Sequence, residues 1–188
     1  MDSMKRYFEL LRRVDALSDR LTALHAESIA CRPGCASCCL NLSVFPVEFF
    51  SIKYAMEQAD IHPEAEFFDT SATCGFLRES LCLIYPYRPI ICRTHGLPIL
   101  FLDDSSGNGR WEVSFCELNF KGQGPIEFTN DALLDIEGIN SELSRINRDF
   151  QNSTGWEKGR TFSRIPLREL CINSGGRNSI RAIPATES

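Results

Sequence analysis

The residues best equipped for chemistry are cysteines. Eight of the nine fall between positions 31 and 116: Cys31, Cys35, Cys38, Cys39, Cys74, Cys82, Cys92 and Cys116. The first four crowd into the stretch CRPGCASCC. Cys35 and Cys38 form a C-x-x-C, whose short spacer lets two thiolates converge on one ion while nearby backbone amides stabilise the sulfur charge. Pro33 and Gly34 keep the preceding residues out of a regular helix, so Cys31 and Cys35 are not a simple helical pair. Cys38 and Cys39 are adjacent, and adjacent side chains of an extended segment point to opposite sides, which disfavours both on one zinc ion. Either the pair serves two neighbouring sites, or one thiol ligates while the other packs as a small apolar group.

Four thiolates suffice for a tetrahedral zinc site or a cubane iron–sulfur cluster, and eight for two such sites or a larger cluster. Soft sulfur ligands exclude magnesium and calcium and leave zinc, iron–sulfur and copper(I). The adjacent pair and the surplus beyond four ligands place an iron–sulfur cluster ahead of zinc; a redox or electron-transfer role would follow from the cluster, a folding or docking role from zinc. Two other readings remain open: a metal- or thiol-dependent enzyme acting on a protein or small molecule, and a metal-free thiol redox sensor. His95, three residues after Cys92, is a ligand, a proton carrier or an ordinary surface histidine; Arg88 and Arg93 either offset thiolate charge or form ordinary ion pairs. No glycine-rich phosphate loop, dinucleotide fingerprint, G-x-S-x-G or paired zinc-binding histidine motif is present, so no substrate class and no catalytic residue is indicated.

The composition around these cysteines is that of a globular protein: of 188 residues, 43% are hydrophobic and 24% charged. Such a chain buries a core without covalent staples, so the cysteines are not needed merely for folding. The net charge of −5 disfavours nucleic acid and anionic membranes as partners, while leaving room for a protein partner. The N-terminal segment is charged throughout and lacks an uninterrupted apolar run, which points to a cytoplasmic protein. Cytosolic thiols stay reduced, and this favours metal or redox roles over a disulfide framework.

The elements that must position the cysteines follow from periodicity. A long amphipathic helix is expected over residues 4 to 28, with Tyr7, Leu11, Val14, Leu17, Leu21 and Leu24 recurring three or four apart. A second helix should begin at Pro46, with Glu48 in its first turn and Phe49, Phe50 and Tyr54 filling core. Residues 60 to 73 read as a loop. Two β-hairpins follow, one turning at Arg78 to Ser80 and the other over DDSSGNG, where Trp111, Val113 and Phe115 alternate with polar neighbours. Between them RPIICRTHG is a helical turn closed by Gly96. A further helix spans about 131 to 151, striped by Ile136, Ile139, Leu143, Ile146 and Phe150 and ended near Gly155. PLRELC adds one helical turn. The sum is an α+β fold, a small cysteine-rich metal-binding domain with two short hairpins surrounded by helices. Its divisions are an N-terminal helix over 1–30 packed on the domain, the cysteine-cluster domain over 31–171, and a flexible tail over 172–188.

CRPGCASCC, followed by CGFLRESLCLIYPYRPIICRTHG and a later Cys116, resembles the YkgJ-like cysteine-cluster proteins, the CxxCxxCC family of zinc- or iron-chelating domains, over roughly residues 31 to 120. The resemblance implies metal or iron–sulfur binding. It further implies that Cys31, Cys35, Cys38 and Cys39 form a first cluster, and Cys74, Cys82 and Cys92 with Cys116 a second group. Arg88, Pro89 and Arg93 match its other signature positions. One departure is that three residues, rather than two, separate Cys31 from Cys35, and Cys171 lies outside the motif.

Overall fold

The computed structural model describes residues 2–63, 73–105, 107–123, 126–156 and 164–172. Helix α1, Ser3–Leu24, starts where the Asp2 carboxylate accepts a hydrogen bond from Met4 N at 3.0 Å, a side-chain cap for an otherwise unpaired donor. Its buried stripe is Tyr7, Leu10, Val14 and Leu21. Leu17 and Leu24 prove exposed, and the helix stops short of residue 28. The stop has a tertiary cause: the His25 ring stands edge-on to Phe120 and Phe128, and its Nε2 lies 3.1 Å from Ala132 O.

Strand β1, Ser43–Val44, leads into α2, Pro46–Gln58, which begins on the expected proline. Phe49 is buried and Phe50 half-buried, but Tyr54 is 60% exposed rather than core, because it lies on the helix face opposite Ile52 and Met56. The first hairpin pairs β2, Leu77–Arg78, with β3, Leu81–Cys82. Its turn residues Glu79 and Ser80 both adopt positive φ, as two-residue hairpins require. Helix α3, Ile90–Thr94, is a single turn that carries Cys92.

The second hairpin joins β4, Ile99–Asp103, to β5, Arg110–Ser114. It is not alone: β6, Leu134–Asp135, pairs parallel to β4, giving a three-stranded sheet in the order β5-β4-β6. As the edge strand, β5 leaves Trp111 and Val113 exposed. Helix α4, Ile136–Thr154, is capped by the Asp135 carboxylate on Gly138 N and ends at Gly155 in the left-handed conformation. Ile139, Leu143, Ile146 and Phe150 form its buried stripe as expected, with Ile136 half-buried. Strand β7, Ile165–Pro166, returns to pair with β1 before the short α5, Glu169–Ile172.

Two cores result. One lies between α1, α3 and α4, around Tyr7, Val14, Ile90, Leu143 and Phe150; the other joins α2, the first hairpin and α5 around Ile52, Phe76, Ile84, Leu170 and Cys171. The architecture is thus α+β, with a long first helix and small sheets. Among the described residues no helix is long and apolar enough to cross a membrane. Most of the tail expected to be mobile, and residues 64–72 of the expected loop, lie outside the described residues.

Candidate metal centre

The cysteine loop is built from two tight turns. Cys35 N donates to Arg32 O and Cys39 N to Ala36 O, each at 2.9 Å, so each turn delivers a cysteine at its end. A buried side chain fixes where the loop begins: Asn119 Oδ1 accepts from Ala30 N at 2.8 Å, while Asn119 Nδ2 donates to Gly96 O at 2.6 Å and lies 3.7 Å from Cys31 Sγ. Cys116 N is held 3.4 Å from the same Gly96 carbonyl. Gly96 has φ +89°, and a β-carbon there would stand 2.8 Å from Cys31 Sγ and 3.8 Å from Cys116 Cβ. Only glycine permits this approach without displacing a sulfur.

Cys31 thus lies beside Cys116, and its other charged-thiol neighbours are Cys35 and Cys38. Burial raises its pKa, the Asn119 contact opposes that, and the three thiols raise it further. Cys39 touches the thiol of Cys38 and also reaches a further set of thiols. Cys74 N donates to Cys39 O at 2.9 Å, and the adjoining Leu40 bridges Thr73. Cys82, opposite Leu77 in the first hairpin, and Cys92 on α3 complete this neighbourhood. Burial pushes the Cys39 thiol up to about 11, with Cys38, Cys74 and Cys82 adding to the rise. Burial likewise carries Cys92 to about 12, reinforced by Cys74 and Cys82, while Arg88 pulls the other way. Burial raises Cys74 and Cys82 too, against backbone N–H groups of Phe76 and Ile84.

Cys116, counted with the second group by the motif, lies beside Cys31 of the first. Cys31 has Cys116, Cys35 and Cys38 as neighbours, Cys92 has Cys74, Cys82 and Cys39, and Cys39 touches Cys38 between the two sets. Chain order cannot reveal this approach of Cys116 to Cys31, because it depends on how Gly96 folds back over Cys31. No two of the nine cysteines are joined in a disulfide. Among the described residues no three His, Cys, Asp or Glu side chains stand already gathered at the spacing of a closed metal site. The donor set itself, eight thiols in two groups of four, matches the softness and number that zinc or an iron–sulfur cluster takes.

The supporting residues divide. Arg88 lies over the Tyr85 ring at 3.5 Å, and its charge acts on Cys82 and Cys92. Arg93 is structural: it clasps both Asp15 oxygens at 2.6 and 2.8 Å and the carbonyls of Arg88 and Pro86, tying α3 to α1. His95 caps the end of α3 and borders a cavity. Buried Cys171 sits on α5, and burial pushes its thiol up to about 12, with the charge of Cys74 adding to the rise and that of Arg78 opposing it.

Two positioning residues carry little sequence signal. Asn119 is a lone amide among polar neighbours, and only its contacts reveal it as the clamp of Cys31. Glu48 is buried in the first turn of α2, where Oε2 accepts from Phe45 N and Oε1 from Ile90 N, each at 3.1 Å. One carboxylate thereby caps α2 and α3 together and fixes the turn that carries Cys92. Burial raises its pKa, against those two hydrogen bonds.

Neither the curated proteins nor the solved structures searched contain a match to the chain. Residues 30–117, somewhat under half of the chain and the stretch holding both sulfur neighbourhoods, match the model of the CxxCxxCC family, described as "Putative zinc- or iron-chelating domain".

Proposed function

We propose that this chain is a metal-binding protein with two thiolate sites: Cys31, Cys35, Cys38 and Cys116 in one, Cys39, Cys74, Cys82 and Cys92 in the other. The observation that carries the reading is a pair of thiol neighbourhoods, Cys31 lying among Cys116, Cys35 and Cys38 and Cys92 among Cys74, Cys82 and Cys39, with Cys38 and Cys39 in hydrogen-bond contact where the two meet. The family match supports zinc or iron as the occupant. Iron–sulfur is placed ahead of zinc because the adjacent Cys38 and Cys39 and the surplus of thiols beyond four suit a cluster, while four thiolates in each site also fit two zinc ions. Bound iron–sulfur would supply one-electron redox chemistry; the chain's own residues would hold the cluster through their sulfurs and place Arg88 against the negative charge of Cys82 and Cys92.

Protein purified without oxygen tests this by elemental analysis and visible absorption. Iron with acid-labile sulfide and a brown colour supports a cluster, and zinc with no colour supports structural sites. Folded protein without stoichiometric metal, whose thiols titrate freely, overturns the metal reading in favour of a thiol sensor. An enzymatic reading draws on one observation, a cavity of about 710 Å³ that reaches Cys38 and Cys116. It predicts that a small molecule filling the cavity alters the visible spectrum of the loaded protein.

A further inference from the structure

Two concavities meet at Asn140 and Arg164, which line both. The shallower, about 470 Å³, is an open groove along α4, where Ser141, Ser144, Arg145 and Arg148 recur three and four apart on one face. Arg164 closes its other side, brought there by the pairing of β7 with β1 and held with its guanidinium 4.2 Å from the Phe45 ring centroid. Arg145, Arg148 and Arg164 form no ion pair among the described residues, and no acidic side chain lines the groove. On a chain of net charge −5 this is a local reversal of sign, with serine and asparagine side chains as further donors. Such a surface suits an oxyanion, since guanidinium forks match carboxylate and phosphate oxygens.

The deeper cavity, about 710 Å³, lies behind Arg164 and has the volume of a ligand pocket. Its walls are apolar, from Ile90, Leu97, Ile99, Phe115, Ile136 and Leu143. Glu48 and Glu117 also border it, and Arg164 acts electrostatically on Glu48, so an anionic head is repelled from the chamber itself and is favoured only beside Arg164, where Arg145 and Arg148 add their charge. We propose that these two concavities form one site for an organic anion, a carboxylate or phosphate monoester on an apolar body, with the head on Arg145, Arg148 and Arg164 and the body in the chamber. The chamber's lining also includes Cys38 and Cys116, so a molecule that fills it would contact the first thiol group. The site rests on its own lining and stands whether or not the sulfurs carry metal.

Isothermal titration of the full chain with octanoate, octyl phosphate, 1-octanol and inorganic phosphate tests this. At least one octyl anion should bind about tenfold or more tightly than both octanol and inorganic phosphate. Whichever octyl anion binds more tightly names the head group. The exposed double change Arg145→Ala with Arg148→Ala should weaken that anion by about tenfold and leave octanol unchanged, while lysine at both positions should restore much of the loss. Phosphate binding as tight as octyl phosphate would overturn the chamber's part, and octanol binding as tight as the anions would overturn the head site. Absence of binding by both anions, or indifference to the arginine changes, would overturn the proposal entirely.

Discussion

At the scale of single residues, the adjacent thiols make the sharpest prediction. If Cys38 and Cys39 serve different sites, Cys38→Ser and Cys39→Ser should each remove about half of the bound metal, and each should spare the other site's spectrum. Metal analysis of the two variants, set beside each other, checks this; equal and complete loss in both would mean a single shared site. Proton linkage gives a second prediction. The free Cys39 and Cys92 thiols lie at about 11 and about 12, so both are protonated near neutral pH. Ligation requires thiolates and must therefore expel protons, so zinc affinity rises with pH by up to about tenfold per unit for each proton released. Competition titrations with a chromophoric chelator across neutral pH should show the rise, and a flat profile would contradict it.

At the scale of elements, Glu48 decides how α2 meets α3. In Glu48→Gln a single amide oxygen replaces two carboxylate acceptors, leaving the Phe45 or Ile90 N–H unpaired at a cost of about 1–3 kcal/mol. Because burial raises the Glu48 pKa, the folded chain holds that proton more tightly than the unfolded chain does. Its contribution to stability is therefore complete below the ordinary value of 4.5 and is lost as pH rises through the elevated one. Urea midpoints of the parent protein should fall as pH rises from 4.5 through the elevated value and level off beyond it, with a smaller fall in the glutamine variant. The same element shows what a one-dimensional pattern can and cannot carry. The α4 stripe and the turn at Glu79 and Ser80 were legible because periodicity and turn chemistry are local. Tyr54 was not, since an aromatic side chain has the same type on either face of a helix and burial depends on what packs there. Strand β6 was hidden for a related reason: two residues before α4 become a strand only because β4 offers them an edge. The eight clustered cysteines were visible as a set, but their division into fours depends on Gly96, Asn119 and the Cys39–Cys74 contact, which are long-range facts.

At the scale of the whole molecule, the two cores respond differently to metal. The core around Tyr7, Val14, Leu143 and Phe150 contains no cysteine, whereas the core around Ile52, Phe76 and Ile84 includes Cys171 and touches Cys74 and Cys82. Chelation should therefore leave α1 and α4 protected from hydrogen exchange while protection falls in α2 and the first hairpin. Uniform loss across both cores would show that the sulfur sites support the entire fold. The exposed pairs Arg6–Asp149 and Arg13–Glu142, which link α1 to α4, add no more than about 1 kcal/mol each, so the apolar stripe carries that interface.

The peptide unit between Cys38 and Cys39 is planar and stiff, with its flanking Cα atoms about 3.8 Å apart. A rotation that aims one sulfur therefore re-aims the other, and the two thiol groups are geared to each other. An ion seated among Cys31, Cys35, Cys38 and Cys116 would remove much of the freedom of the backbone that presents Cys39. The second ion would then meet a receptacle already partly ordered, and would bind more tightly than it does beside an empty first site.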